Sequence, residues 1–299
     1  MKALLSQIVI YGANGWLGRS SIESVLRLFP DIDSENLLLI GSRDSQVKIL
    51  DKEFRVYNPV LGESRVKENS IFLNCAFLRR EYVERLGEKD FLLQNKKIMA
   101  LPKRVLDDSK VSSFVNLSSG VVVSQSRTKG FNVDPYAILK KQSEIDFARF
   151  CEKKDTSFLN CRVYSVSGAH LNEFKNLALS SFIDQALTKK FIKVESPNTE
   201  RVYIDGVNLM TVLLRLALNG HSGMLDSGGC FVTMRELAES VLNVIGLEST
   251  DLEMGAVLGN SYYGDFETFN VIAAKMDETV LDIHNQIKNT LSAFKPKSG

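Results

Sequence analysis

Tyr136 and Lys140 stand four residues apart in Pro135-Tyr136-Ala137-Ile138-Leu139-Lys140. On a helix, an i, i+4 pair shares one face, so a hydroxyl and an ammonium can address the same ligand. A free tyrosine titrates near ~10 and is a poor base at neutral pH. A cation within ~4–6 Å favours the phenolate and lowers that value. Upstream, Asn116-Leu117-Ser118-Ser119-Gly120 closes an apolar run. A hydroxyl at Ser119 could hydrogen-bond a reacting oxygen beside the tyrosine and stabilise charge as it develops. Ser118 could trade places with it, and a strand-end capping hydroxyl is the structural alternative. Together these residues suit proton transfer at a carbonyl or hydroxyl.

These residues need a partner that moves electrons, and the chain opens with a place for one. Gln7-Ile8-Val9-Ile10-Tyr11 suits a strand buried on both faces. Gly12-Ala13-Asn14-Gly15-Trp16-Leu17-Gly18 follows, and 20–29 carries apolar residues at helical spacing up to Pro30. In such a strand–turn–helix, Gly12 permits the tight turn and Gly15 lets a pyrophosphate approach the backbone. Gly18 lets the helix pack closely, and the helix N-terminus offers unpaired N–H groups to phosphate. Asn14, Trp16 and Leu17 complete the candidate dinucleotide contacts, with Ala76 past a later strand. Trp16 either packs the loop or stacks on a ligand. A plain NAD site would place an acid after the second strand to accept from the ribose 2′-OH. Here Gly41-Ser42-Arg43 stands there, which suits a 2′-phosphate and hence NADP, with NAD as the alternative because Asp44 follows. With a dinucleotide in place, Lys140 would hold the nicotinamide ribose as well as tune Tyr136.

The elements that must position these groups read as strands at 36–40, 54–57, 70–74, 113–117 and 157–163. Helical regions are expected at 81–106, broken by Pro102, and at 136–153. Apolar strands alternating with helices imply parallel pairing through right-handed crossovers. The predicted fold is α/β, a Rossmann-like doubly wound parallel sheet in 1–165. A smaller C-terminal substrate-binding lobe follows in 166–294, with helical patterns at 177–187, 207–218, 234–245 and 278–293, and 295–299 is a tail. The charge balance, 37 basic against 36 acidic residues in 299, speaks against a nucleic-acid binder or polybasic membrane clamp. The apolar stretch 209–218 falls well short of the roughly 20 residues a membrane span needs. Cys75, Cys151, Cys161 and Cys230 form no C-x-x-C pair and read as reduced thiols. No metal site is expected, and the cytoplasm is the expected compartment.

The order of glycine turn, strand-end serine and tyrosine–lysine helix resembles the extended short-chain dehydrogenases/reductases. This is the NAD(P)-dependent epimerase/dehydratase family acting mainly on nucleotide sugars. Ser118-Ser119-Gly120-Val121 resembles its serine segment, and Tyr136 to Lys140 with Glu144 its catalytic helix. Arg162 to His170 resembles a segment between cofactor and sugar, where Ser165 replaces the usual asparagine. Asn176-Leu177 resembles a pair that meets the nucleotide diphosphate. Thr199 to Ile204 resembles the segment whose arginine, Arg201 here, faces substrate phosphates; an ordinary surface salt bridge is the alternative. Thr233 to Ala238 matches the start of a late helix. Val123-Ser124 and Asp205-Gly206-Val207-Asn208 depart from the pattern, and no acid follows the third strand, where Asn58 is nearest.

The resemblance implies catalysis by Ser119, Tyr136 and Lys140, substrate contacts at Ser119, Gly120, Ser165, Asn176 and Arg201, and a homodimer through 81–106 and 136–153. Family dehydratases carry an acid pair after the serine, and here Gly120 and Val121 stand there, which disfavours dehydration. Epimerisation and keto reduction remain, and Arg43 tips the reading toward a reductase. A silent dinucleotide-binding regulator is the alternative from another class.

Overall fold

The computed structural model describes residues 6–108, 111–126, 134–171 and 177–294. They divide into two compact units, Met1–Val163 with Met210–Leu225, and Tyr164–Leu209 with Asp226–Gly299.

In chain order the first unit contains β1 (Gln7–Tyr11), α1 (Trp16–Leu28), β2 (Leu37–Ile40), β3 (Ser45–Ile49), β4 (Lys52–Tyr57), α2 (Pro59–Glu63) and β5 (Ser70–Asn74). It continues through α3 (Glu81–Leu86), α4 (Glu88–Asp108), β6 (Ser113–Ser119), α5 (Val121–Ser126), α6 (Pro135–Lys154) and β7 (Ser157–Val163). The second unit begins with β8 (Ser165–Ser167), α7 (Ala178–Lys189), β9 (Ile192–Val194) and β10 (Glu200–Asp205). Helix α8 (Gly206–Leu218) leads back to the first unit and to β11 (Gly223–Asp226). Strand β12 (Cys230–Thr233), α9 (Met234–Ile245), β13 (Leu252–Met254), α10 (Phe266–Lys275) and α11 (Ile283–Ala293) complete the second unit.

The large sheet runs β11-β7-β6-β5-β1-β2-β4-β3. Strands β1, β2, β4, β5, β6 and β7 pair in parallel, as their continuous apolar runs required. The chain steps outward from β1 on one side to β2 and β4, then returns to the other side of β1 with β5. That reversal makes a crevice at the carboxyl ends of β1 and β5. On one sheet face Phe72, Phe114 and Phe147 stack at 5.4 and 4.9 Å between centroids, fully buried.

Four local features differ from the sequence expectation. Residues 45–49 form a strand antiparallel to β4, closed by Leu50 and Asp51, which both take positive φ. This is the geometry of a two-residue hairpin turn that twists with its strands. The helical stretch at 81–106 breaks at Gly87, with φ +78°, rather than at Pro102, which lies inside α4. Proline lacks the N–H that would bond the carbonyl of Ile98 four residues earlier. The Tyr11 hydroxyl donates to that carbonyl at 3.1 Å, so the helix continues with a donor borrowed from β1. Burial pushes the Tyr11 phenol up to about 12, which keeps the donating proton in place. Finally, 266–275 is a helix that the sequence pattern did not suggest, and the last helix starts at Ile283 under an Asp282 cap rather than at 278.

In the second unit, β12-β10-β8 form one small sheet and β13-β9 another. Leu179, Ile183, Leu237, Val241 and Ile287 of α7, α9 and α11 supply its core. Among the described residues no helix is long and apolar enough to cross a membrane.

The Tyr11–Pro102 arrangement makes a paired prediction. Tyr11→Phe leaves the Ile98 carbonyl without its donor and should lower unfolding free energy by about 1–2 kcal/mol. Pro102→Ala restores a backbone N–H, so the loss should be smaller in that background. Equal losses in both backgrounds, measured by urea unfolding, would show that the hydroxyl does not substitute for the missing N–H.

Candidate active site

The parallel register delivers the ends of β1, β2, β5 and β6 to one edge of the sheet, with Tyr11 beside both Ile40 and Asn74, and Asn74 beside Asn116. Gly12 takes φ +90°, and a Cβ there would lie 2.7 Å from the Ala76 nitrogen. The glycine turn and the loop after β5 are thus in backbone contact, which brings the candidate Ala76 to the turn. A Cβ on Gly18 would fall 2.1 Å from the Gly12 carbonyl oxygen. Gly15 differs: it is exposed, and its Cβ would meet only the Gly12 carbonyl oxygen, at 3.2 Å. The lack of a side chain at Gly15 leaves open surface beside the start of α1, where no side chain caps the helix N–H groups. That is a cradle a phosphate can approach.

The flanking candidates are distributed as follows. Asn14 donates through Nδ2 to the Ser45 hydroxyl at 3.0 Å, tying the turn to β3. Trp16 and Leu17 are half-buried in the first turn of α1. Ser42 and Arg43 are exposed past β2. Asp44 accepts from the side-chain and backbone nitrogens of Asn58 at 2.6 and 3.2 Å, which holds its carboxyl below the usual range. Asn58 itself caps α2.

Helix α6 is started by Asp134 and Pro135. The Asp134 carboxylate accepts from the Tyr136 N–H at 3.0 Å and pairs with Arg80 at 3.0 Å, and Pro135 fills the first helical position. One turn on, Lys140 is buried, with 6% exposure. Its ammonium donates to the Leu117 carbonyl at 2.7 Å, two residues before Ser119 on β6. It also lies 3.9 Å from the centroid of the Phe77 ring and 5.8 Å from that of Tyr136. Phe77 meets Tyr136 edge-on at 5.6 Å. Desolvation pulls the Lys140 pKa down to about 7, against the opposing influence of Cys75 and Glu144. Cys75 lies 3.5 Å from the Ser21 hydroxyl, and burial pushes its thiol up to about 11, which keeps it protonated and unreactive.

Two turns from Tyr136, Glu144 reaches across to the sheet. It accepts from Ser118 at 2.7 Å, from Arg162 at 2.9 and 3.0 Å, and from Asn160 at 3.3 Å. Burial alone would raise its pKa, but the Arg162 and Ser118 hydrogen bonds hold it below the usual range. The Ser118 hydroxyl is therefore engaged with Glu144 inside the protein. Ser119 closes β6, buried, with its oxygen accepting from the Val121 N–H at 3.4 Å; Gly120 follows and donates to the Val163 carbonyl.

Of the remaining candidates, Ser165 opens β8 in the second unit. Arg201 lies on β10, half-buried, donating to the Glu200 and Asn260 carbonyls at 2.8 and 2.7 Å, with the Tyr262 ring 5.8 Å away. Those acceptors are neutral, so the guanidinium keeps its charge uncompensated by them. Asn176 lies outside the described residues. The sequence reading missed Phe77 and the Leu117 carbonyl. Phe77 stands next to Ala76 and was within reach of the same argument, whereas a backbone acceptor leaves no sequence signal.

No protein-family model matches the chain, and no curated protein matches it in sequence. Solved structures do match it in fold. UDP-N-acetylglucosamine 4-epimerase from Methanobrevibacter ruminantium M1, in complex with UDP-N-acetylmuramic acid, aligns with a TM-score of 0.78 at 14% identity, over 97% of this chain and 98% of that one. UDP-glucose-4-epimerase from Stenotrophomonas maltophila, with bound NAD and formylated UDP-arabinopyranose, gives 0.76 at 12% identity, over 96% and 97%. The dTDP-glucose 4,6-dehydratase DesIV from Streptomyces venezuelae, a double mutant with NAD bound, gives 0.72 at 14%, over 97% of each chain. This chain has the Rossmann-like fold of those enzymes. The fold expected from the resemblance to extended short-chain dehydrogenases/reductases is the fold found.

The Lys140 environment sets a pH dependence. Between about pH 7 and the ordinary lysine value of 10.5, the unfolded chain holds a proton that the folded chain has released. This residue therefore adds stability as pH rises through that window, and below pH 7 the folded state bears a buried charge. Lys140→Met should remove that rise. Urea unfolding at pH 6, 8 and 10 measures it, and equal pH slopes in both proteins would show that Lys140 stays charged.

Proposed function

We infer that the protein is a nicotinamide-dinucleotide-dependent enzyme that works by hydride transfer on a nucleotide sugar, with Tyr136 moving the proton. The observation that carries this is the convergence of the open Gly15 cradle, Ser119, and the Tyr136–Lys140 face of α6 on the carboxyl edge of one parallel sheet. The residues present fit a dinucleotide: the turn has no side chain at Gly15, the α1 terminus has no side-chain cap, and Ala76 lies against Gly12. Gly12, Asn14, Gly15, Trp16, Leu17, Gly18 and Ala76 would hold its pyrophosphate half, and Ser42 and Arg43 its adenosine ribose. A bound nicotinamide supplies the hydride acceptor or donor.

The chain's own residues do the rest. Tyr136 takes a proton from a sugar hydroxyl, or returns one to a carbonyl, through its phenolic oxygen. In its protonated form Lys140 places a positive charge beside that phenol and favours its ionised form. Ser119 donates to the reacting oxygen and holds it as charge grows. Arg201, whose hydrogen bonds go to the Glu200 and Asn260 carbonyls, suits the diphosphate of the donor, and Asn176 is the second candidate there. Gly120 and Val121 cannot move protons, which argues against elimination of water. Keto reduction and epimerisation use the same groups and differ in whether the cofactor leaves changed. The exposed Arg43 supports NADP and reduction.

Tyr136→Phe should lower turnover at least 100-fold, an order-of-magnitude expectation for loss of a general acid–base group. Dinucleotide affinity, read from the fluorescence of Trp16, the one tryptophan, should change little. Turnover of UDP- and dTDP-linked sugars that survives the change would remove tyrosine from the role. Product without net cofactor consumption identifies an epimerase, and consumption a reductase. Arg43→Ala should weaken NADPH roughly tenfold and leave NADH unchanged, since only NADPH carries the 2′-phosphate. Equal effects on both would show that Arg43 does not read that group.

A further inference from the structure

An ammonium has three N–H donors and no acceptor. In Lys140 one donor goes to the Leu117 carbonyl at 2.7 Å, and the nitrogen sits 3.9 Å from the centre of the Phe77 ring. A cation over an aromatic face at that distance is held by the ring quadrupole, most strongly when water is excluded. The same ring packs edge-on against Tyr136. Phe77 thus touches both groups that the proposed reaction uses, and Lys140 is only 6% exposed.

Phe77 lies in the connection between β5 and α3, outside any helix or strand, and is half-buried. Its neighbours are fixed on both sides. Ala76 is pressed against Gly12, and the Leu78 N–H donates to the buried Asn95 side chain at 2.8 Å. The ring packs against the core beside Tyr136, and with the backbone pinned a change of side-chain rotamer is the motion left to it.

We propose that Phe77 is an aromatic gate over Lys140, closed when no dinucleotide is bound and swung aside when the ribose hydroxyls of one take its place. The ring face satisfies the buried cation in the closed state, and the vicinal diol of the ribose satisfies it in the open one. This deepens the dinucleotide reading and rests on it. A closed gate lowers apparent affinity by the fraction of molecules that are open. Removing the ring should therefore tighten binding, the opposite of what loss of a contact does.

The test uses two readouts on the full-length protein. The first needs no cofactor: acylation of Lys140 by acetic anhydride at pH 8, followed by peptide mass spectrometry. Lys141, whose side chain is 52% exposed, is the internal reference. Phe77→Ala should raise Lys140 modification roughly tenfold relative to Lys141, as expected if the closed state predominates by about that factor. The second readout is NADPH and NADH affinity from Trp16 fluorescence, and whichever binds should tighten by a similar factor. Phe77→Leu keeps most of the apolar volume without the aromatic face and should fall between, so a folding defect in the alanine variant does not end the test. Unchanged labelling of Lys140 in both variants overturns the gate. Faster labelling with weaker NADH binding also overturns it, making Phe77 a wall of the site. Faster labelling with neither NADPH nor NADH bound by wild type or variant overturns the dinucleotide reading instead, and with it the ligand assigned to the gate.

Discussion

The buried carboxylate of Glu144 fixes the geometry on which the rest of the first unit depends. It grips Ser118 on β6 and both Asn160 and Arg162 on β7, so one helix residue sets the height and rotation of α6 over two strands. Tyr136 and Lys140 sit eight and four residues earlier on the same helix and inherit that placement. Breaking a buried ion pair leaves its partner charge stranded, which is why such pairs specify an arrangement more than they stabilise it. Glu144 also dictates the polarity of a ladder of amides across the sheet. A carboxylate only accepts, so Asn160 must give it an N–H. Asn160 then accepts from Asn116 at 2.8 Å, and Asn116 from Asn74 at 3.0 Å. The three asparagines are register partners on β5, β6 and β7, and the ladder ends on a buried oxygen of Asn74 with no protein donor.

Lys140 shows what that rigidity achieves. Its pKa near about 7 comes from being held out of water by a helix that cannot rotate to release it. The local answer to the charge is a carbonyl and an aromatic ring, both weaker than a carboxylate. Such a lysine meets an incoming polyol as an unsatisfied donor, where one already paired with an acid would not.

Much of this was legible in the sequence, for physical reasons that can be stated residue by residue. Ile8, Val9 and Ile10 followed by Gly12, Gly15 and Gly18 read correctly because parallel strands are buried on both faces and the turn tolerates no side chains at Gly12 and Gly18. Asp134-Pro135 marked the start of α6 through cap chemistry that is local to the chain. The hairpin at 45–57 did not show itself, because Leu50-Asp51 lacks the glycine or asparagine that usually marks positive φ, and Ser45-Gln46-Val47-Lys48-Ile49 is half polar. Pro102 misled because its missing donor is replaced by Tyr11, ninety-one positions earlier in the chain. At the candidate site, Tyr136 and Lys140 were expected on one helix and Ser119 at a strand end, and that is where they lie. The engagement of Ser118 and the cover on Lys140 arise from tertiary packing, to which neither spacing nor composition is sensitive.

The first unit is not one continuous stretch of chain. It reclaims Met210–Leu225, and β11 lies along β7 at the rim of the large sheet. A protein cut after Val163 would expose β7 as a bare edge, and a naked parallel rim recruits whatever strand it next meets. A faithful excision of this unit must remove 164–209, rejoin the chain at Met210 and stop at Leu225, because each unit is assembled from two separate stretches of chain.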